Sequence, residues 1–151
     1  LERAIHRFKY EGWRCLAPAL AALMVERMAL DGLSAGLLLA VPLHEARLRR
    51  RGYNQSELLA GELRGRFEVP RPPGRLVRLR DTPPQVGLDR LRRHANVADA
   101  FAWRGPPLGG EPVLLVDDVA TTGATLEACA GALRAAGSGA VQGMTVARVL
   151  V

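Results

Sequence analysis

Two adjacent aspartates below an apolar run, followed by a turn rich in threonine and glycine, are the residues of this chain best suited to chemistry. They lie in Val113–Thr125, VLLVDDVATTGAT. Val113-Leu114-Leu115-Val116 is a short continuous apolar run, as in a strand buried on both faces of a parallel sheet. Asp117 and Asp118 therefore stand where that strand should end, and ligands of open α/β sheets gather outside the carboxyl ends of strands. The following turn offers free backbone N–H groups and the positive end of a helix dipole, which together bind phosphate. Gly123 lets the backbone approach closely, and the hydroxyls of Thr121, Thr122 and Thr125 add hydrogen bonds; with Val119, Ala120 and Ala124 they form a candidate phosphate cradle. Two carboxylates would repel phosphate. They suit neighbouring hydroxyls, such as a ribose 2′,3′-diol, or a hydrated Mg²⁺ between oxygen ligands. The combination describes a 5-phosphoribosyl site. The plainer alternative is a strand–helix junction with capping Asp and Thr side chains.

A second block, Val41–Leu63, reads VPLHEARLRRRGYNQSELLAGEL. It places a basic loop between a buried strand and a capped helix. Arg47, Arg49, Arg50 and Arg51 fall within five residues, a concentrated anion site whose bidentate guanidinium groups suit diphosphate oxygens. A solvated charge run is the alternative for any single arginine.

Val113–Thr125 resembles the phosphoribosyl-diphosphate signature of type I phosphoribosyltransferases at all thirteen positions. The pattern V-P-L-H, R-x-R-x-R-G-Y-N-Q and L-A is similar to the ComF/GntX family, the competence-associated branch of that fold. Phe8-Lys9-Tyr10 with Gly12, then Thr82, Gln85, Leu88, Arg93, Asn96 and Ala100-Phe101, follow in family order, so the resemblance covers essentially the whole chain. It implies an α/β fold of the type I phosphoribosyltransferase kind, a mostly parallel sheet flanked by helices. It also implies phosphoribosyl diphosphate or a nucleotide as ligand, with Mg²⁺ as cofactor.

By the same resemblance, Asp117 and Asp118 hold the ribose hydroxyls and the metal, and residues Val119–Thr125 hold the 5′-phosphate. Arg47, Arg49 and Arg51 meet the diphosphate, with Arg51 joining the Asp pair in catalysis. Leu88–Phe101 corresponds to the segment that closes over the diphosphate, where Arg92 and Arg93 are further candidates. The implied reaction displaces diphosphate from ribose C1, leaving oxocarbenium character on the ring. The other reading is a non-catalytic sensor of phosphoribosyl diphosphate or a nucleotide, acting through DNA-processing protein partners. A third takes the arginines as a direct nucleic-acid surface.

Two departures from the family pattern stand out. Many members carry an N-terminal four-cysteine zinc module, which these residues do not contain, and the chain starts at Leu1 without Met; truncation and natural absence are both open. Purine-salvage relatives place an Asp where Thr121 stands, and Thr cannot accept a proton at neutral pH.

The chain has 151 residues, the size of a single domain, spanning 1–151. Residues 1–32 form an N-terminal helical part and candidate hood, and 33–151 the core. Lys9 is the only lysine among 21 basic residues, which leave a net charge of +6 against 15 acidic ones. Aromatic residues make up 5%, leaving no ladder for stacking single-stranded bases. The longest apolar stretches, around Ala17–Val25 and Ala35–Leu43, are too short to span a bilayer, so no membrane insertion is expected. Cys15 and Cys129 form no C-x-x-C pair. Both lie in apolar helical patterns and are expected in the core, in a reducing, cytoplasmic setting. Dimers are common in the fold class, which leaves a homodimer open.

The elements that must position these groups read clearly. Helical spacing runs through Leu1–Leu30, with Ile5 and Phe8 on one face. Gly12 interrupts, and Leu16, Leu20, Leu23 and Met28 continue with near-helical spacing. Leu37–Val41 is a buried strand. Asn54 and Glu57 form a capping-box signature opening a helix from Gln55 to about Arg66. Arg75–Arg80 is a strand candidate, Leu88–Ala95 a short basic helix, Ala124–Ala136 a helix and Val141–Val149 a closing strand. His6 is expected on the exposed side of the first helix, and His44 and His94 at the surface beside basic loops. Tyr53 either stacks on a ligand or packs the helix start.

Overall fold

A computed structural model describes residues 1–31, 36–69, 71–81 and 99–149. The expected basic helix Leu88–Ala95, with Arg92, Arg93 and His94, lies outside the described residues. The elements are α1 (Glu2–Tyr10), a 3₁₀ turn (Arg14–Leu16), α2 (Ala17–Asp31), β1 (Leu37–Ala40), α3 (Glu45–Arg51) and α4 (Gln55–Phe67). They continue with β2 (Arg75–Arg78), β3 (Phe101–Arg104), β4 (Val113–Ala120), α5 (Ala124–Ala135) and β5 (Val141–Arg148).

Strands β1, β4 and β5 form a parallel sheet in the order β1-β4-β5, with Leu37 opposite Val113 and Val113 opposite Val141. Alternation along the strands sends successive side chains to opposite faces, which is why both strands are apolar without interruption. Leu38, Ala40, Leu114 and Val116 join Phe8, Leu20, Met24, Leu59 and Leu63 in one core, under α1, α2 and α4. Leu37, Leu39, Val113 and Leu115 join Leu76, Phe101, Cys129 and Leu133 in a second core, under α5 and the antiparallel β2–β3 pair. A parallel sheet covered by helices is the expected α/β architecture. Among the described residues no helix is long and apolar enough to cross a membrane.

Several local expectations change. The arginine block is a helix, α3, and not a loop. His44 caps it by accepting the Ala46 N–H on Nδ1, and Gly52 closes it in the left-handed region at φ 81°. Alanine, leucine, glutamate and arginine between those caps all favour a helix. Strand β4 does not stop at the aspartates. It runs on to Ala120 because β5 supplies backbone partners as far as Arg148, and backbone groups in the interior must be paired.

Strand β3 was not foreseen. It pairs antiparallel with β2, setting Leu76 opposite Trp103 and Arg78 opposite Phe101, a cross-chain match invisible in four isolated residues. Cys129 is buried as expected, but Cys15 is exposed. The 3₁₀ turn after Gly12 resets the helical phase, so Ala17, Leu20, Ala21, Met24 and Met28 face inward while Leu23 is exposed. The Asn54 side chain caps α4 through the Ser56 N–H, but Glu57 pairs with Arg64 further along the helix. Tyr53 packs the helix start, its hydroxyl donating to the Phe8 carbonyl. His6 is exposed, as expected.

Candidate functional site

Because β4 continues through the aspartates, their side chains leave opposite faces of the strand. Asp117 shares the face of Val113 and Leu115. Its Oδ1 accepts the Ser56 hydroxyl at 2.8 Å and the Asp118 N–H at 2.9 Å. Ser56 lies in the first turn of α4, so that helix start is fastened to the end of β4. Burial raises the pKa of Asp117 to about 7, and the neighbouring charge of Asp118 adds to the rise.

Asp118 points to the other face and its side chain is only 4% exposed. Its Oδ1 accepts the Val119 N–H at 2.6 Å and meets Lys9 Nζ at 3.0 Å. Its Oδ2 is buried with no hydrogen-bond partner. An orphaned, buried carboxylate oxygen is costly unless a ligand completes it. A carboxylate is a hard oxygen donor of the kind Mg²⁺ takes, and the two aspartates offer theirs on opposite faces of β4. Among the described residues no group of three or more His, Cys, Asp and Glu is placed to hold a metal.

Beyond the aspartates the chain turns through residues 121–123 into α5. Gly123 occupies the cap position at φ 85°, a conformation open to glycine at little cost. The Ala124 N–H reaches Thr122 Oγ1 at 3.4 Å. A hollow of about 60 Å³ is enclosed between Asp117 and the turn residues Val119, Ala120, Thr121, Gly123, Ala124 and Thr125. It opens at the amino end of α5, where the helix dipole favours an anion.

A second hollow, of about 210 Å³, is basic. Lys9, Tyr10 and Gly12 from the α1 end line one side, and Arg47, Arg50, Arg51 and Tyr53 the other. The helical pitch of α3 explains this selection, since positions three and four apart share a face. Arg51 donates to Gln55 at 2.6 Å and lies over the Tyr10 ring at 5.1 Å. Arg47 donates to Asp81 at 2.8 Å. Arg49 projects from the opposite flank, 73% exposed and 3.5 Å from Glu45. Arg78, on β2, has its pKa lowered by burial first and by Arg47 second.

No family model matches the chain. Individual proteins do. DNA utilization protein YhgH of Salmonella typhi is 32% identical over 155 aligned positions, covering 99% of this chain and 68% of that protein. The protein of the same name from Escherichia coli strain K12 matches with the same identity and coverage. Competence protein F of Haemophilus influenzae is 36% identical over 113 residues, 74% of this chain and 49% of that protein. The chain belongs to the ComF-like family.

In this ComF-like chain the fold gathers most of the residues singled out by type and spacing. Asp117 lies beside the turn residues, and Arg47 and Arg51 share the basic hollow. Arg49 does not join them, and Arg50 takes its place. Two further residues contact the aspartates with little signal in the sequence: Ser56 reads only as part of a helix start, and Lys9 only as the single lysine in a family landmark. His44 serves as the cap of α3 through Nδ1.

Proposed function

We propose that this ComF-like domain binds phosphoribosyl diphosphate with Mg²⁺ and transfers the phosphoribosyl group with release of diphosphate. The observation that carries the reading is the buried, unpartnered Oδ2 of Asp118, next in the chain to the aspartate that borders a glycine-capped helix start. Asp117 and Asp118 accept the ribose hydroxyls and hold the ring. The turn from Val119 to Thr125 receives the 5′-phosphate through backbone N–H groups and threonine hydroxyls. Arg47, Arg50 and Arg51 face the diphosphate and take up charge as its bond to C1 breaks. Asp118, through its unpartnered Oδ2, or Asp117 would hold Mg²⁺, which would supply a hard cation to neutralise the leaving group. The aspartate pair favours the positive charge that develops on the ring. Relatives named for DNA utilisation and competence support a role for this domain in that context. Free Cys15 and Cys129 suit a reducing cytoplasm.

A second reading is favoured by Thr121, which supplies no proton acceptor beside the acceptor substrate. The same site then senses phosphoribosyl diphosphate or a nucleotide without turnover and acts through DNA-processing partners. Calorimetry with phosphoribosyl diphosphate and Mg²⁺, followed by a diphosphate-release assay across a panel of nucleobases, separates the two. Binding with release supports transfer, and binding without release supports sensing. No binding sinks both.

A further inference from the structure

Lys9 joins Asp118 to the basic hollow. Its ammonium meets Asp118 Oδ1 at 3.0 Å, and the same residue lines the basic hollow with Arg47, Arg50 and Arg51. We propose that Lys9 is an exchangeable counter-ion, holding Asp118 in the free protein and passing to the diphosphate when ligand and metal arrive. The inference rests on the phosphoribosyl diphosphate reading and adds a residue to that site.

Three observations carry it. Asp118 is almost wholly buried, and a carboxylate there needs a cation. Lys9 provides one, yet Oδ2 remains unpartnered, so the pairing fills only part of what Asp118 can bind. Lys9 and Arg47 each face a carboxylate, Asp118 and Asp81, while Arg50 and Arg51 add positive charge around the same hollow, which an entering anion would offset. The lysine stem is flexible and its charge compact, so Nζ can move while the backbone stays fixed. The backbone is well anchored. Phe8 is fully buried, its carbonyl accepts the Tyr53 hydroxyl, and Arg51 covers the Tyr10 ring.

The exchange has opposite consequences for the two ligands. A divalent cation arriving alone competes with Lys9 for Asp118. A diphosphate gains Lys9 as a partner. The test compares wild type with Lys9→Met and Lys9→Arg, after thermal melts establish that each is folded. Mn²⁺ alone is titrated by electron paramagnetic resonance, and inorganic diphosphate with Mg²⁺ by calorimetry. Lys9→Met is expected to bind Mn²⁺ about tenfold tighter and diphosphate about tenfold weaker, the size of one charge-assisted hydrogen bond. Lys9→Arg should restore diphosphate affinity. Lys9→Gln, neutral and able to donate to Asp118, carries the same comparison if Lys9→Met does not fold.

A purely structural role for Lys9 would move both affinities in one direction. That result, or no change in either, overturns the exchange. If wild type nonetheless binds ribose 5-phosphate and diphosphate, the proposed function stands without it. If wild type binds neither, both readings fail.

Discussion

Ser56 Oγ donates to Asp117 Oδ1 across 2.8 Å, linking the first turn of α4 to the end of β4 over 61 positions of sequence. The bond stabilises the ionised carboxylate against the burial that raises its pKa. Ser56→Ala should therefore make Asp117 harder to ionise and move the ligand-binding pH profile upward. Calorimetry with phosphoribosyl diphosphate and Mg²⁺ between pH 6 and 9 reads the shift, and a profile superimposable on wild type would refute it.

The raised pKa of Asp117 has a defined sign for stability. Its proton is bound more tightly in the folded state, with a pKa of about 7, than in the unfolded chain, where an ordinary aspartate lies near 3.8. The contribution is full below about pH 4 and lost as pH rises toward about 7, amounting to a few kcal/mol at most. Binding runs the other way, because the ribose hydroxyls and Mg²⁺ need the ionised form. Denaturant titrations should show Asp117→Asn flattening this fall in stability, while wild-type ligand affinity climbs through pH 7.

The paired substitution Asp117→Asn with Asp118→Asn should abolish phosphoribosyl diphosphate binding while the domain stays folded. Two amides keep the shape of the carboxylates but lose the charge that holds a metal. Unchanged affinity by calorimetry would remove the aspartates from the site.

Helical phase in α3 predicts unequal arginines. Arg50→Ala should weaken diphosphate binding about tenfold, because a guanidinium facing the anion is lost. Arg49→Ala should leave affinity unchanged and stability within about 0.5 kcal/mol, since its only described partner is an exposed Glu45. Equal effects of the two would contradict a helix at this position.

Gly123→Ala tests the turn. An added Cβ meets nothing within 4 Å, so the cost is that of a non-glycine residue at φ 85°, about 1–2 kcal/mol. A melting curve reads that loss, and ribose 5-phosphate affinity reads its effect on the phosphate end. A neutral substitution would mean that the left-handed geometry is not required.

Features encoded over a few neighbouring residues were legible in the sequence. The buried runs at Leu37–Ala40 and Val113–Val116, the α4 start at Gln55 and the threonine-glycine turn ahead of α5 each depend on local periodicity or capping. Chemistry that crosses the chain was not legible. The end of β4 depends on how far β5 pairs with it, and β3 exists only as the partner of β2. The arginines were visible as a cluster, but their division into three facing one hollow and one facing away required the pitch of α3.

Local residue order settled which side chains could do chemistry here: a carboxylate pair, a phosphate-type turn and a block of cations. Folding settled who meets whom. Alternation on a strand longer than its apolar run separated Asp117 from Asp118. Packing of Phe8 into the core then delivered Lys9 to one of them, and the start of α4 delivered Ser56 to the other. Those pairings arise from hydrophobic burial and backbone pairing across long separations, which no local spacing encodes.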